Sequence, residues 1–175
     1  MDLQDIKTPG LSCDLHDNPD IKERELALSH KILMSVEKPA RYIGGESGSV
    51  IKDKEKVSVR FAFCFPDSYD IGMSHLGMKI LYSLTNQREA YWCERVFAPG
   101  IDFEEIMRRE NIPLYALESL DPVKDFDFIG ITLQYEMCYT NILQLLDLSQ
   151  VTLLSKDRGE DEPIVMGGGP CSYNP

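Results

Sequence analysis

Gly167, Gly168 and Gly169 follow directly on the apolar run Pro163-Ile164-Val165-Met166. Such a run is expected to be a buried β-strand, and the glycines remove every Cβ from the backbone that leaves it. A large flat or phosphate-bearing ligand can then lie against the main chain itself. A second stretch, Gly72-Met73-Ser74-His75-Leu76-Gly77-Met78-Lys79, has the outline of a phosphate-binding loop. That loop needs lysine directly after its second glycine, then Ser or Thr to hold magnesium. Here Lys79 comes one residue late and Ile80 follows it, which argues against nucleotide hydrolysis. No G-x-G-x-x-G opens the helix that begins there, which argues against a dinucleotide. His75 stands at the start of that helix, where a histidine more often caps or is solvated than binds a ligand.

The cysteines Cys13, Cys64, Cys93, Cys138 and Cys171 are scattered and contain no C-x-x-C pair, so they exclude a local zinc ribbon or iron–sulfur motif. Cys13 and His16 form a lone C-x-x-H, which is expected to be accidental. Free cysteines suit a reducing compartment, and Met1 to Gly10 lacks the basic start and apolar run of a secretion signal, so a cytoplasmic protein is expected. No apolar stretch approaches the ~18 residues of a membrane span. The net charge of −11 and the absence of a basic cluster argue against direct nucleic-acid binding.

These residues are positioned by a regular alternation of elements. After a polar lead-in, Ile21, Leu28, Ile32 and Leu33 predict an amphipathic helix over about 21–36, with Asp20 to cap it and Pro39 to end it. A glycine-containing loop with a solvated charge run follows. Strands are predicted near 57–65, 91–97, 127–133 and 163–167. The first closes at Pro66 into a loop, Pro66 to Ser74. Leu76, Ile80, Leu81 and Leu84 then fall on one face of a helix, and Ile142, Leu145, Leu146 and Leu148 make the buried face of another. A short helix over 101–110 has acids at its front, arginines at its back, and Glu104–Arg108 and Glu105–Arg109 at ion-pair spacing. Residues 112–122 fit either a short strand or a turn. Strands alternating with helices of this length require parallel pairing and right-handed crossovers, hence an open α/β sheet of Rossmann-like or flavodoxin-like type. With strand order 2-1-3-4, the loops Pro66–Ser74, Gln134–Tyr139 and Gly167–Cys171 converge at the carboxyl ends, where such sheets bind ligands.

The strings EKPARYIGGE, VRFAFCFPDSYDIGMSHLGMKILY, NQREAYWCERVFAP, FDFIGITLQYEMCYTNIL and PIVMGGGPCSYNP, in this order, resemble the amino-terminal region of an uncharacterised family of B12-binding-type radical SAM proteins. The resemblance covers about Ser35 to Pro175. It implies a cobalamin-binding-like α/β domain over 46–175, truncated before its last strand, behind an N-terminal helix-and-loop extension over 1–45. A helix, a fifth strand and a barrel are expected to follow, the barrel carrying a C-x-x-x-C-x-x-C [4Fe–4S] cluster that cleaves S-adenosylmethionine. The barrel is then the partner of this chain, which alone is non-catalytic. Cobalamin-binding domains often carry D-x-H-x-x-G, whose histidine ligates cobalt. Asp70, His75 and Gly77 do not have that spacing, so cobalamin is expected without histidine ligation. The residues implied to contact it are Gly72, Ser74, His75 and Gly77, then Thr132, Gln134 and Tyr135, then Gly167, Gly168, Gly169 and Pro170. The alternative is the same fold without cofactor, serving as a docking or substrate-recognition platform for the barrel. Either way, a fourth strand at the sheet's edge is expected to leave that edge unpaired and apolar surface uncovered.

Overall fold

A computed structural model describes residues 30–173. Strands β1 (Val59–Ser68), β2 (Tyr91–Ala98), β3 (Phe128–Thr132) and β4 (Ile164–Gly168) form one parallel sheet in the order β2-β1-β3-β4, with β1 and β3 adjacent. This is the Rossmann-like arrangement that the alternation of elements requires. The helices are α1 (His30–Leu33), α2 (Tyr69–Ser74), α3 (Leu76–Asn86), α4 (Ile101–Glu110) and α5 (Tyr139–Leu148). Among the described residues no helix is long and apolar enough to cross a membrane.

Because side chains alternate along each strand, the register assigns them to two faces. Phe61, Phe63, Arg95, Gly130 and Met166 share the front face with α3. Ala62, Cys64, Val96, Ile129 and Ile131 point to the back, where right-handed crossovers place α4 and α5. Those two helices lie side by side, joined by Arg108 to Asp147 at 2.7 Å. Within α4, Arg108 also pairs with Glu104 as the spacing predicts, whereas Arg109 turns to Glu110 instead of Glu105.

The segment leading to β1 is fastened to the same core. Val36 and Tyr42 are buried in it, the Tyr42 ring lies 4.2 Å from that of Phe103, and Tyr115 donates to the Tyr42 carbonyl at 3.0 Å. Residues 112–122 form a tight loop, with a bridge between Tyr115 and Pro122 and Leu120 at φ 59°.

Five local expectations change. The helix predicted over 21–36 ends at Leu33, where Ser35 folds its hydroxyl back onto the Ile32 carbonyl; its earlier part lies outside the described residues. Strand β1 runs past Pro66 to Ser68, because its register against β2 shifts between Phe65 and Ser68 and such an irregularity tolerates a residue without N–H. The expected loop after it is largely helical, as α2. On α3 the buried side chains are Met78 and Tyr82, while Leu76, Ile80, Leu81 and Leu84 are exposed. The reason is Arg95: its guanidinium packs 4.9 Å over the Tyr82 ring, turning that side of α3 onto the sheet. Strand β4 is the edge that the order 2-1-3-4 implies, but its side chains, expected to be buried, are open, with Ile164 and Met166 exposed.

Candidate functional site

The carboxyl ends of β1, β3 and β4 surround a cavity of about 370 Å³ on the front face. Its floor is Phe61, Phe63 and Gly130, and its rim takes in His75, Gly77, Thr132, Gln134 and Gly167–Gly169. A Cβ on Gly130 would lie 2.2 Å from Phe61 Cζ, so glycine at this position lets the Phe61 ring lie flat across β3.

The glycines of the turn do different work. Gly169 has φ 134°, and a Cβ there would meet the Leu133 carbonyl oxygen at 2.7 Å. Its backbone therefore requires glycine. Gly167 packs against Leu133, where a Cβ would stand 3.0 Å from Cδ1. Around Gly168 nothing lies within 4 Å of the Cβ position, so this is the residue whose bare backbone faces open space. The turn is tied to the loop after β3 by Leu133 donating to the Gly168 carbonyl at 2.7 Å and Cys171 donating to the Leu133 carbonyl at 3.1 Å.

Thr132, paired in register with Gly168, is 7% exposed, and its Oγ1 has no hydrogen-bond partner among the described residues. A buried hydroxyl of this kind is costly unless something satisfies it. It sits on the cavity wall, beside the open glycine.

His75 closes the opposite wall as the N-cap of α3. Its Nδ1 accepts from the Met78 N–H at 3.1 Å, which leaves Nε2 as the remaining ring nitrogen. Gly77 accommodates the ring, since a Cβ there would approach His75 Cε1 to 3.0 Å. The structure thus brings together His75, Gly77, Thr132, Gln134, Gly167, Gly168 and Gly169.

Four other predicted residues stand apart from the cavity wall. Gly72 is buried, and a Cβ on it would strike the Phe97 ring at 2.2 Å, so it serves helix-to-sheet packing. Ser74 donates to the Asp70 carbonyl within α2. Tyr135 donates to Asp67 Oδ2 at 2.7 Å, a bond that raises its phenol pKa and bridges the loops after β1 and β3. Pro170 opens a helical turn, Pro170–Tyr173, beyond the wall. Sequence reasoning missed the floor. The one signal for it was Gly130 inside the apolar strand FIGIT, since an isolated strand glycine marks a close approach.

Residues 77–175, more than half of the chain, match the family described as radical SAM proteins, N-terminal. The chain belongs to that family. The match takes in Gly77, Thr132, Gln134 and the glycine turn, whereas Gly72, Ser74 and His75 precede it. An uncharacterized protein of Methanocaldococcus jannaschii is 30% identical over 118 residues, 66% of this chain and 20% of that protein. The chain therefore spans about a fifth of that relative's length. No solved structure matches the chain.

Proposed function

We propose that the chain is the N-terminal accessory domain of a radical SAM enzyme and that it holds cobalamin at the carboxyl end of its sheet without ligating the cobalt. The observation that carries this reading is the unsatisfied Thr132 hydroxyl beside the open backbone of Gly168 in an apolar-floored cavity. A flat heterocycle with polar edges suits that combination: Phe61, Phe63 and Gly130 offer apolar contact, while Thr132 offers a hydrogen bond. About 370 Å³ suits the nucleotide tail of a corrinoid rather than the whole cofactor, whose macrocycle would rest on the rim. Bound cobalamin would supply group-transfer chemistry at cobalt. His75 accepts at Nδ1 as a helix cap, so the neutral ring carries its proton on Nε2, a donor rather than a lone pair for cobalt.

On this reading the domain binds and orients, and the iron–sulfur cluster and S-adenosylmethionine belong to the C-terminal radical SAM part of the same protein. The described free cysteines, all buried, suit a reducing cytoplasm.

The test is absorption spectroscopy of the full-length protein after incubation with hydroxocobalamin. Retained corrinoid, weakened by Gly168→Val and spectrally unchanged by His75→Ala, supports the reading. A shifted long-wavelength band in His75→Ala would overturn the unligated mode. A protein that retains no corrinoid would favour the docking platform.

A further inference from the structure

The front face of the sheet is unevenly covered. The back carries α4 and α5, while the front carries α2 and α3, both over the β2–β1 side of the sheet. Beside α3 the floor cavity continues toward the amino ends of the strands as a trough of about 600 Å³, lined by Phe61, Leu84, Tyr91, Phe128 and Met166 with Arg88 at its rim. Of the apolar side chains lining it, Leu84 is 54% and Met166 43% exposed; next to them, Leu81 on the cavity wall is 53% exposed and Ile164, on the same face of β4 as Met166, 58%.

We propose that this trough is the seat of one amphipathic helix from the C-terminal radical SAM part of the full-length protein, docked antiparallel to the strands beside α3. The proposal rests on the chain being the N-terminal part of such an enzyme, and not on cobalamin. The width is right: the uncovered half of the sheet spans two strand spacings, about 9–10 Å, and a helix with its side chains is about 10 Å across. The chemistry is right as well. Unlike the cavity above it, the trough is mainly apolar, with Thr85, Arg88 and Tyr91 its sole polar lining among the described residues, and Leu84 within it and Leu81 beside it offer the spacing of a helix–helix contact.

A helix entering from the carboxyl ends of the strands, as α3, α4 and α5 do, would bring its last carbonyls to Arg88. The Arg88 side chain has no partner among the described residues, and a cation there complements a helix C-terminus. A second copy of this chain fits less well, because each brings a net charge of −11. The relative, of which the matched segment is a fifth, has ample further chain to supply the helix.

Hydroxyl-radical footprinting of the wild-type full-length protein, without cobalamin and at two protein concentrations, tests this without any substitution. Met166, Leu81 and Leu84 should oxidise several-fold more slowly than their exposure here dictates, equally at both concentrations, while Met34, 70% exposed and outside the trough, should react freely. Oxidation of Met166 and Leu84 in proportion to that exposure would overturn the proposal. So would protection that is lost on dilution, which means a second copy, or protection that appears only with cobalamin, which means the ligand fills the trough. Benzoylphenylalanine in place of Leu84 should then photo-crosslink within the same molecule to one segment beyond residue 175 with apolar residues at helical spacing; a link between two molecules counts against it. Failure to bind cobalamin leaves this result standing, and an open trough in a cobalamin-binding protein sinks this proposal alone.

Discussion

The two edges of the sheet are finished in opposite ways. Along β2 every outward backbone group that the register exposes at Cys93 and Arg95 is taken. The Asn86 side chain accepts from the Cys93 N–H at 3.0 Å and donates to its carbonyl at 2.9 Å, imitating a neighbouring strand. Glu118 accepts from the Arg95 N–H at 2.7 Å, and Leu117 donates to the Arg95 carbonyl at 2.9 Å. Along β4 the bonds from Ile164 to Asp127 and from Leu133 to Gly168 mark the even positions as facing β3, which turns the N–H and C=O groups of Val165 and Gly167 outward with no partner among the described residues. A bare strand edge is a template for pairing. The difference shows that one edge is finished by the chain's own side chains and loop, while the other is left bare among the described residues.

Amide hydrogen exchange on the 175-residue chain sharpens that contrast most directly. The Cys93 and Arg95 amides should exchange only with sub-global or global opening, and those of Val165 and Gly167 at rates close to local fraying, a gap of orders of magnitude. Comparable protection at both edges would mean that β4 is paired in solution.

The sealed edge depends on buried charge, and here a single substitution should break the comparison. Glu118 has a fully buried side chain whose Oε1 lies 2.6 Å from Arg95 Nε, while Arg95 also reaches Glu46 at 3.0 Å and Ser49 at 2.8 Å. Glu118→Ala leaves a buried guanidinium short of its main partner and uncovers the Arg95 N–H, a loss of about 3–5 kcal/mol for breaking a buried pair. Denaturation followed by the fluorescence of Trp92, the one tryptophan, would measure it. Burial holds the Glu118 carboxyl above its ordinary range even beside Arg95, so Glu118→Gln should cost clearly less. Equal losses would show that charge, and not hydrogen bonding, seals the edge.

On the open side the vulnerable point is Gly130. Gly130→Ala puts a methyl 2.2 Å from the Phe61 ring and forces that ring off β3 into the trough. An overpacking cost of about 1–3 kcal/mol is expected, together with weaker corrinoid retention, since Phe61 is shared by the cavity and the trough. Unaltered stability would mean that the ring is free to move.

What the sequence disclosed follows the same division. The strand order and the converging loops were legible because alternating strands and helices admit few topologies. The glycine turn was legible because three adjacent glycines have few other uses. The burial of α3 was not. Leu76, Ile80, Leu81 and Leu84 have the periodicity of a core face, yet Met78 and Tyr82 take the buried side and those four are exposed among the described residues, so periodicity alone turned the helix the wrong way. The role of Glu118 was equally hidden, because it depends on a loop returning to a strand edge more than twenty residues earlier in the chain.

The smallest expected effect concerns how β4 is entered. Glu162 accepts from the Thr152 N–H at 2.6 Å and the Gly159 N–H at 3.0 Å, pinning the loop that delivers the open strand. These backbone bonds hold its carboxyl below the ordinary value of 4.5. A carboxyl depressed in the folded state contributes stability that is present above its unfolded pKa and is lost as pH falls through its folded one. The stability difference between the wild type and Glu162→Gln should therefore be small and constant at neutral pH, then shrink as pH drops below 4.5, where the wild-type side chain also becomes neutral. Parallel urea-denaturation profiles for the two proteins across that acid range would show that the loop holds β4 by shape alone and that the ionised carboxylate adds nothing to the open edge.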